Sequence, residues 1–90
     1  MAEGIRKREK EFVEIIMREQ GKTRNWASIE VGATIAYFDY MASFARHIEG
    51  EIVESDNRGE SILISKKPIG VVAGILPWNF PFFLIARKES

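Results

Sequence analysis

Cysteine is absent from this 90-residue chain. That excludes disulfides, thiolate metal sites and a cysteine nucleophile among these residues. Histidine occurs once, at His47, so no histidine cluster is available to hold a metal. An excess of either charge is missing as well, because 13 Lys and Arg balance 13 Asp and Glu. The balance removes the case for general attraction to nucleic acid or to a membrane surface. Long apolar runs are lacking too. The stretch poorest in charge, 31–45, contains Asp39 and falls short of the ~20 apolar residues of a membrane span. Residues 1–10 are charged and have no apolar centre, unlike a secretory signal. Ser28, Ser43, Ser55 and Ser61 have no histidine and carboxylate arranged around them, so a serine hydrolase has no support. The reading is a cytoplasmic protein with no nucleic acid, membrane or metal partner.

What is present is ordinary for a globular chain: 46% hydrophobic and 29% charged residues. The length suits one small domain, and such a chain buries only about 60–65% of its unfolded surface. Residues 1–20 read as one amphipathic helix with Ile5, Phe12 and Ile16 on a stripe. Glu3 with Lys7 and Glu14 with Arg18 stand four apart in the favourable acid-first order. Gly21 is the expected stop, since it tolerates the left-handed conformation. Residues 23–49 read as a long second helix. Trp26, Ile29, Ala33, Ala36, Tyr37, Tyr40, Phe44 and Ile48 form its main apolar stripe. Val31, Ile35, Phe38, Ala42 and Ala45 lie on other faces, which predicts cover on more than one side.

From residue 51 the pattern changes. Ile52-Val53 and Ile62-Leu63-Ile64 flank the turn residues Asp56, Asn57, Arg58 and Gly59, which predicts a β-hairpin over 51–67. After Pro68 the run Ile69-Gly-Val-Val-Ala-Gly-Ile-Leu76 is almost wholly apolar without alternation. It predicts a parallel strand buried on both faces. Pro77-Trp-Asn-Phe-Pro81 is a rigid loop, and Pro81 suits the first turn of a helix.

A strand running through a tight loop into a helix is where α/β proteins bind ligands. Gly70 and Gly74 do not form the glycine fingerprint of a phosphate turn. Asn79 is the one polar side chain of the loop. Its amide can donate to a developing oxyanion, a contact worth roughly 3–4 kcal/mol in a transition state. The pattern alone favours the more ordinary role of capping the helix that starts at Pro81. Trp78 and Phe80 can line a pocket or pack in a core. His47 suits the carbonyl end of the long helix. Asp39, among apolar neighbours, is expected to be paired or at a helix edge.

The motif P-I-G-V-V-A-G-I-L-P-W-N-F-P over 68–81 resembles the NAD(P)-dependent aldehyde dehydrogenase superfamily. Glu19-Gln-Gly-Lys22 and Gly50-Glu-Ile-Val53 agree with it, and Tyr37-Phe-Asp-Tyr-Met-Ala42 points towards bacterial lactaldehyde and glycolaldehyde dehydrogenases. The resemblance implies an α/β fold, as a fragment of a modified Rossmann cofactor-binding domain. Residues 1–50 would be its helical part and 51–67 an oligomerisation hairpin. Residues 68–90 would hold the first parallel strand, the loop and a helix start. Asn79 would be the oxyanion-hole residue. Ile75, Leu76, Pro77 and Trp78 would border the nicotinamide end of NAD or NADP. Phe80, Tyr40 and Phe44 would face the aldehyde tunnel. The implied partners are a small-molecule aldehyde and, through the hairpin, further copies of the chain.

The departures from that family pattern matter as well. The family's cysteine nucleophile has no counterpart here. Its general-base glutamate, and the lysine and glutamate that hold the adenosine ribose, belong to segments beyond these residues. Glu89-Ser90 departs from the family's usual methionine-alanine-proline continuation. The resemblance therefore implies an enzyme portion that is inactive alone and does not bind the cofactor by itself. The alternatives are a non-catalytic interaction module and the remnant of an interrupted gene.

Overall fold

Two helices stand where the periodicity predicts one. A computed structural model describes residues 1–89, with Ser90 outside the described residues. Helix α1 spans Ala2–Lys7 and α2 spans Glu9–Gln20. Between them Arg8 leaves the helical region, at φ −116° and ψ 21°. Its guanidinium binds Glu11 at 2.8 and 2.6 Å, and it lies 5.4 Å from the centre of the Phe12 ring. The break leaves α1 against the next helix, where Arg6 reaches Asp39 at 2.6 Å. Asp39 is thus paired, as expected. Glu3 and Lys7 meet at 3.8 Å. Glu14, however, pairs with Arg24 rather than Arg18, because the turn after α2 brings Arg24 back alongside it.

Gly21 ends α2 at φ 65°, the left-handed position that glycine occupies without strain. Helix α3 then spans Arg24–Ala42 and tightens into a 3₁₀ turn over Ser43–Arg46. The predicted helix thus ends earlier than residue 49. Its buried face also differs from the predicted stripe. Ala27, Glu30, Val31, Thr34 and Ile35 are buried, whereas Trp26, Ile29, Tyr40, Phe44 and Ile48 are exposed. The small side chains of Ala27 and Thr34 let neighbouring helices approach closely, and the bulkier aromatic stripe is left outside.

The core is small. Val13 and Ile16 of α2 meet Ala27, Val31 and Ile35 of α3, with Ile5, Phe12, Met17 and Phe82 around them. Helix α4, Pro81–Glu89, starts at the predicted proline and closes this core from the other side. Phe82 stacks on Phe12 at 4.9 Å, and Phe83 meets Tyr37 edge-on at 5.9 Å.

The predicted hairpin forms. Strands β1, Glu51–Glu54, and β2, Ser61–Ile64, pair antiparallel, with Ile52 opposite Leu63 and Val53 opposite Ile62. Gly50 enters it with no room to spare, since a Cβ there would lie 2.5 Å from the Ile64 carbonyl oxygen. All eight strand residues are exposed. The apolar run 69–76 is a correction to the sequence reading, because it carries no ladder. A parallel strand needs a neighbour to take its amides and carbonyls, and among the described residues the only ladder joins β1 to β2. Ile69, Val71 and Ile75 stand almost fully in solvent. The molecule is correspondingly drawn out to 63 Å, with a radius of gyration of 19.0 Å. A compact chain of this length would have about 12 Å.

Candidate functional site

The loop before α4 is fixed from beneath by a buried charge. Glu30 lies in the middle of α3, and its side chain is wholly buried. One carboxylate oxygen, Oε2, accepts from Lys22 Nζ at 2.5 Å. The other, Oε1, accepts the backbone N–H groups of Phe82 at 2.9 Å and Phe83 at 3.3 Å. These are first-turn amides of α4, which have no partner inside the helix. A carboxylate there also meets the positive end of the helix dipole. Lys22 Nζ lies 4.1 Å from the centre of the Phe80 ring, a cation–π contact. Thr34 Oγ1 donates to the Glu30 carbonyl at 2.8 Å and ties the same turn of α3 together.

Asn79 sits in the turn just above this anchor. The helix cap weighed for it does not form. Glu30 takes the α4 amides instead, and the exposed Asn79 side chain makes no hydrogen bond among the described residues. Asn79 and Phe80 border an open groove of about 320 Å³ with Ile29, Ala33, Phe83 and Arg87. Ile75 and Leu76 line a separate recess with Val72 and Lys88. Pro77 and Trp78 are exposed between the two. Tyr40 and Phe44 meet edge-on at 5.1 Å towards the far end of α3, with the His47 ring 6.1 Å from Phe44. The structure therefore joins Asn79 to Phe80 in one groove and does not gather all the predicted residues into one pocket.

The surfaces suit one end of a dinucleotide better than the other. Ile75 and Trp78 offer exposed apolar and aromatic area to a ring. A pyrophosphate would want free helix amides, and those of Phe82 and Phe83 already serve Glu30. Among the described residues no group of three or more His, Cys, Asp or Glu is placed to hold a metal.

The aldehyde dehydrogenase family profile matches residues 1–89. The chain belongs to the aldehyde dehydrogenase family. It is 55% identical to lactaldehyde dehydrogenase of Escherichia coli K12 over 97% of its own length. It is 42% identical to 3,6-anhydro-alpha-L-galactose dehydrogenase of Vibrio sp. EJY3, again over 97% of the chain. In each case it spans 18% of the relative. The solved structure of the E. coli lactaldehyde dehydrogenase superposes with a TM-score of 0.85, covering 97% of this chain and 18% of that one. A 3,6-anhydro-L-galactose dehydrogenase solved in complex with NAP superposes at 0.83 with 44% identity and the same coverage. The mixed helix and strand architecture and the resemblance to bacterial lactaldehyde dehydrogenases are thus borne out.

Glu30 is the residue that sequence reasoning passed over. A signal was available: an acid set between Ile29 and Val31 in an otherwise apolar helix, eight residues after Lys22.

Proposed function

We propose that this chain is the oxyanion-binding portion of an NAD(P)-dependent aldehyde dehydrogenase that oxidises a small aldehyde to a carboxylic acid. The observation that carries the reading is the free, exposed amide of Asn79 on a loop anchored just after it, at Phe80 and at the first amides of α4. The side-chain N–H of Asn79 donates to the oxygen that gains negative charge as the carbonyl is attacked. Held in place beforehand, that donor needs no reorganisation when the charge develops. The bound nicotinamide supplies the hydride acceptor, and Ile75, Leu76, Pro77 and Trp78 border its ring. Phe80, Tyr40 and Phe44 give apolar surface to the aldehyde side. Residues 1–50 act as the helical part of the cofactor domain, 51–67 as the oligomerisation arm and 68–90 as the segment that carries the apolar run, the loop and the helix start. The working compartment is the cytoplasm. No helix among the described residues is long and apolar enough to cross a membrane.

The test joins this chain to the remaining part of the E. coli lactaldehyde dehydrogenase and follows aldehyde-dependent NADH formation. Asn79→Ala is expected to lower kcat about 100- to 1,000-fold, as loss of an oxyanion donor does. An unchanged kcat overturns the assignment. The 90-residue chain alone is expected to give no turnover, and NADH formed by chain free of host enzymes would refute that.

A second reading is favoured by the exposed apolar residues of the hairpin, Ile52 and Leu63 above all. In it the chain is a non-catalytic module that docks on copies of itself or on a full-length relative. Light scattering that shows only monomer, with no binding to the E. coli enzyme, would count against it.

A further inference from the structure

We infer that the buried Lys22–Glu30 pair is a positioning device for Asn79, because it caps α4 from across the core and holds the Phe80 ring next to Asn79. The inference rests on the reading of Asn79 as an oxyanion donor. A helix start is ordinarily capped by the side chain of the residue just before it, and in α4 that residue is Phe80, which has no acceptor to offer. Here that role is displaced to another element. Glu30 Oε1 accepts the amides of Phe82 and Phe83 from across the core, 52 and 53 residues away in sequence. The first turn of α4 is thereby satisfied from outside the helix, and its start is tied to α3.

The same pair also holds the residue directly after Asn79. Lys22 binds Glu30 Oε2 at 2.5 Å and presses its ammonium on the Phe80 ring at 4.1 Å. Phe80 follows Asn79 directly, and its carbonyl accepts the Leu84 amide at 3.0 Å. One ion pair therefore grips the ring beside Asn79 and the amides just beyond it. Burial makes the grip stiff. The Glu30 side chain is 0% and the Lys22 side chain 16% exposed, so water competes little for either. A group fixed in this way holds a donor within the narrow tolerance that transition-state contacts require.

The test uses Glu30→Asp, which keeps the charge for Lys22 but withdraws the carboxylate by one methylene from the α4 amides. In the 90-residue chain, hydrogen exchange at Phe82 and Phe83 is expected to speed up at least about tenfold, with Ile16 and Val31 unchanged. Equal acceleration at all four positions would mean a general core role and overturn the inference. In the fusion with the E. coli enzyme, Glu30→Asp is expected to lower kcat about tenfold with KM within about twofold. In an Asn79→Ala background the same change is expected to cost less than about twofold, because the positioned group is gone. The same factor in both backgrounds overturns the inference while leaving the Asn79 reading intact. An Asn79→Ala variant with full activity overturns the Asn79 reading itself.

Discussion

The four helices and the arm that joins them use apolar residues in opposite ways. In the helices Val13, Ile16, Val31 and Ile35 are nearly or wholly out of solvent. Along 47–78 equally apolar residues, Ile48, Ile52, Leu63, Ile69, Val71 and Ile75, stand in it. Composition does not separate the two regions, but partnership does. A helix satisfies its own backbone, so three of them can close a core with what 89 residues provide. A buried strand needs neighbours on two edges and two faces. Within the described residues the arm has only its own hairpin.

The comparison is broken most sharply by paired substitutions. Ile16→Ala in the core is expected to cost about 2–4 kcal/mol of unfolding free energy, enough to unfold much of so small a chain. Ile75→Ser in the arm is expected to stay within about 0.5 kcal/mol. Thermal or urea melts followed by circular dichroism read both, and equal losses would mean that the arm packs in solution. Gly50→Ala is the intermediate case. Its Cβ would strike the Ile64 carbonyl oxygen, so the cross-strand contacts of Glu51 and Ile64 should vanish from NMR spectra. The helical melt should move by less than about 0.5 kcal/mol.

The smallest effect belongs to pH. Arg8, bound to Glu11, holds the Glu11 carboxyl below its ordinary value. A depressed folded value gives stability that is present above the unfolded value and lost as pH falls through the folded one. Acid melts of the helical part should therefore flatten slightly in Glu11→Gln. Glu11 is half in solvent, and added salt should erase most of the difference.

The features legible in the sequence were those that local chemistry decides. Gly21 stops a helix because of its own backbone freedom. The hairpin follows from two β-rich runs around Asp56-Asn-Arg-Gly59, and α4 starts at Pro81. The Asn79 loop could be located from its motif, although its relation to Tyr40 and Phe44 could not. What escaped was settled at long range. The buried face of α3 depends on which helices reach it, and apolar residues on several faces leave that choice open. Glu30 was passed over because its partners, the amides of Phe82 and Phe83, lie more than fifty residues on. The break at Arg8 interrupts a sound helical period at a residue with no breaker signal of its own, and it leaves α1 where Arg6 meets Asp39.

The bare run 69–76 turns concentration into a structural variable. It has eight residues with no charge and no proline, rich in branched side chains, the composition that stacks readily edge to edge between molecules. Its backbone is already free of any ladder, so two copies meeting there have nothing to dismantle first. Lys66, Lys67 and Pro68 guard one end and Pro77 the other, the positions where gatekeepers slow such growth. Any pairing of that kind would be favoured by concentration and opposed by dilution. During synthesis the run leaves the ribosome before any strand that follows it. How long it then waits for a neighbour decides whether that neighbour is the right one.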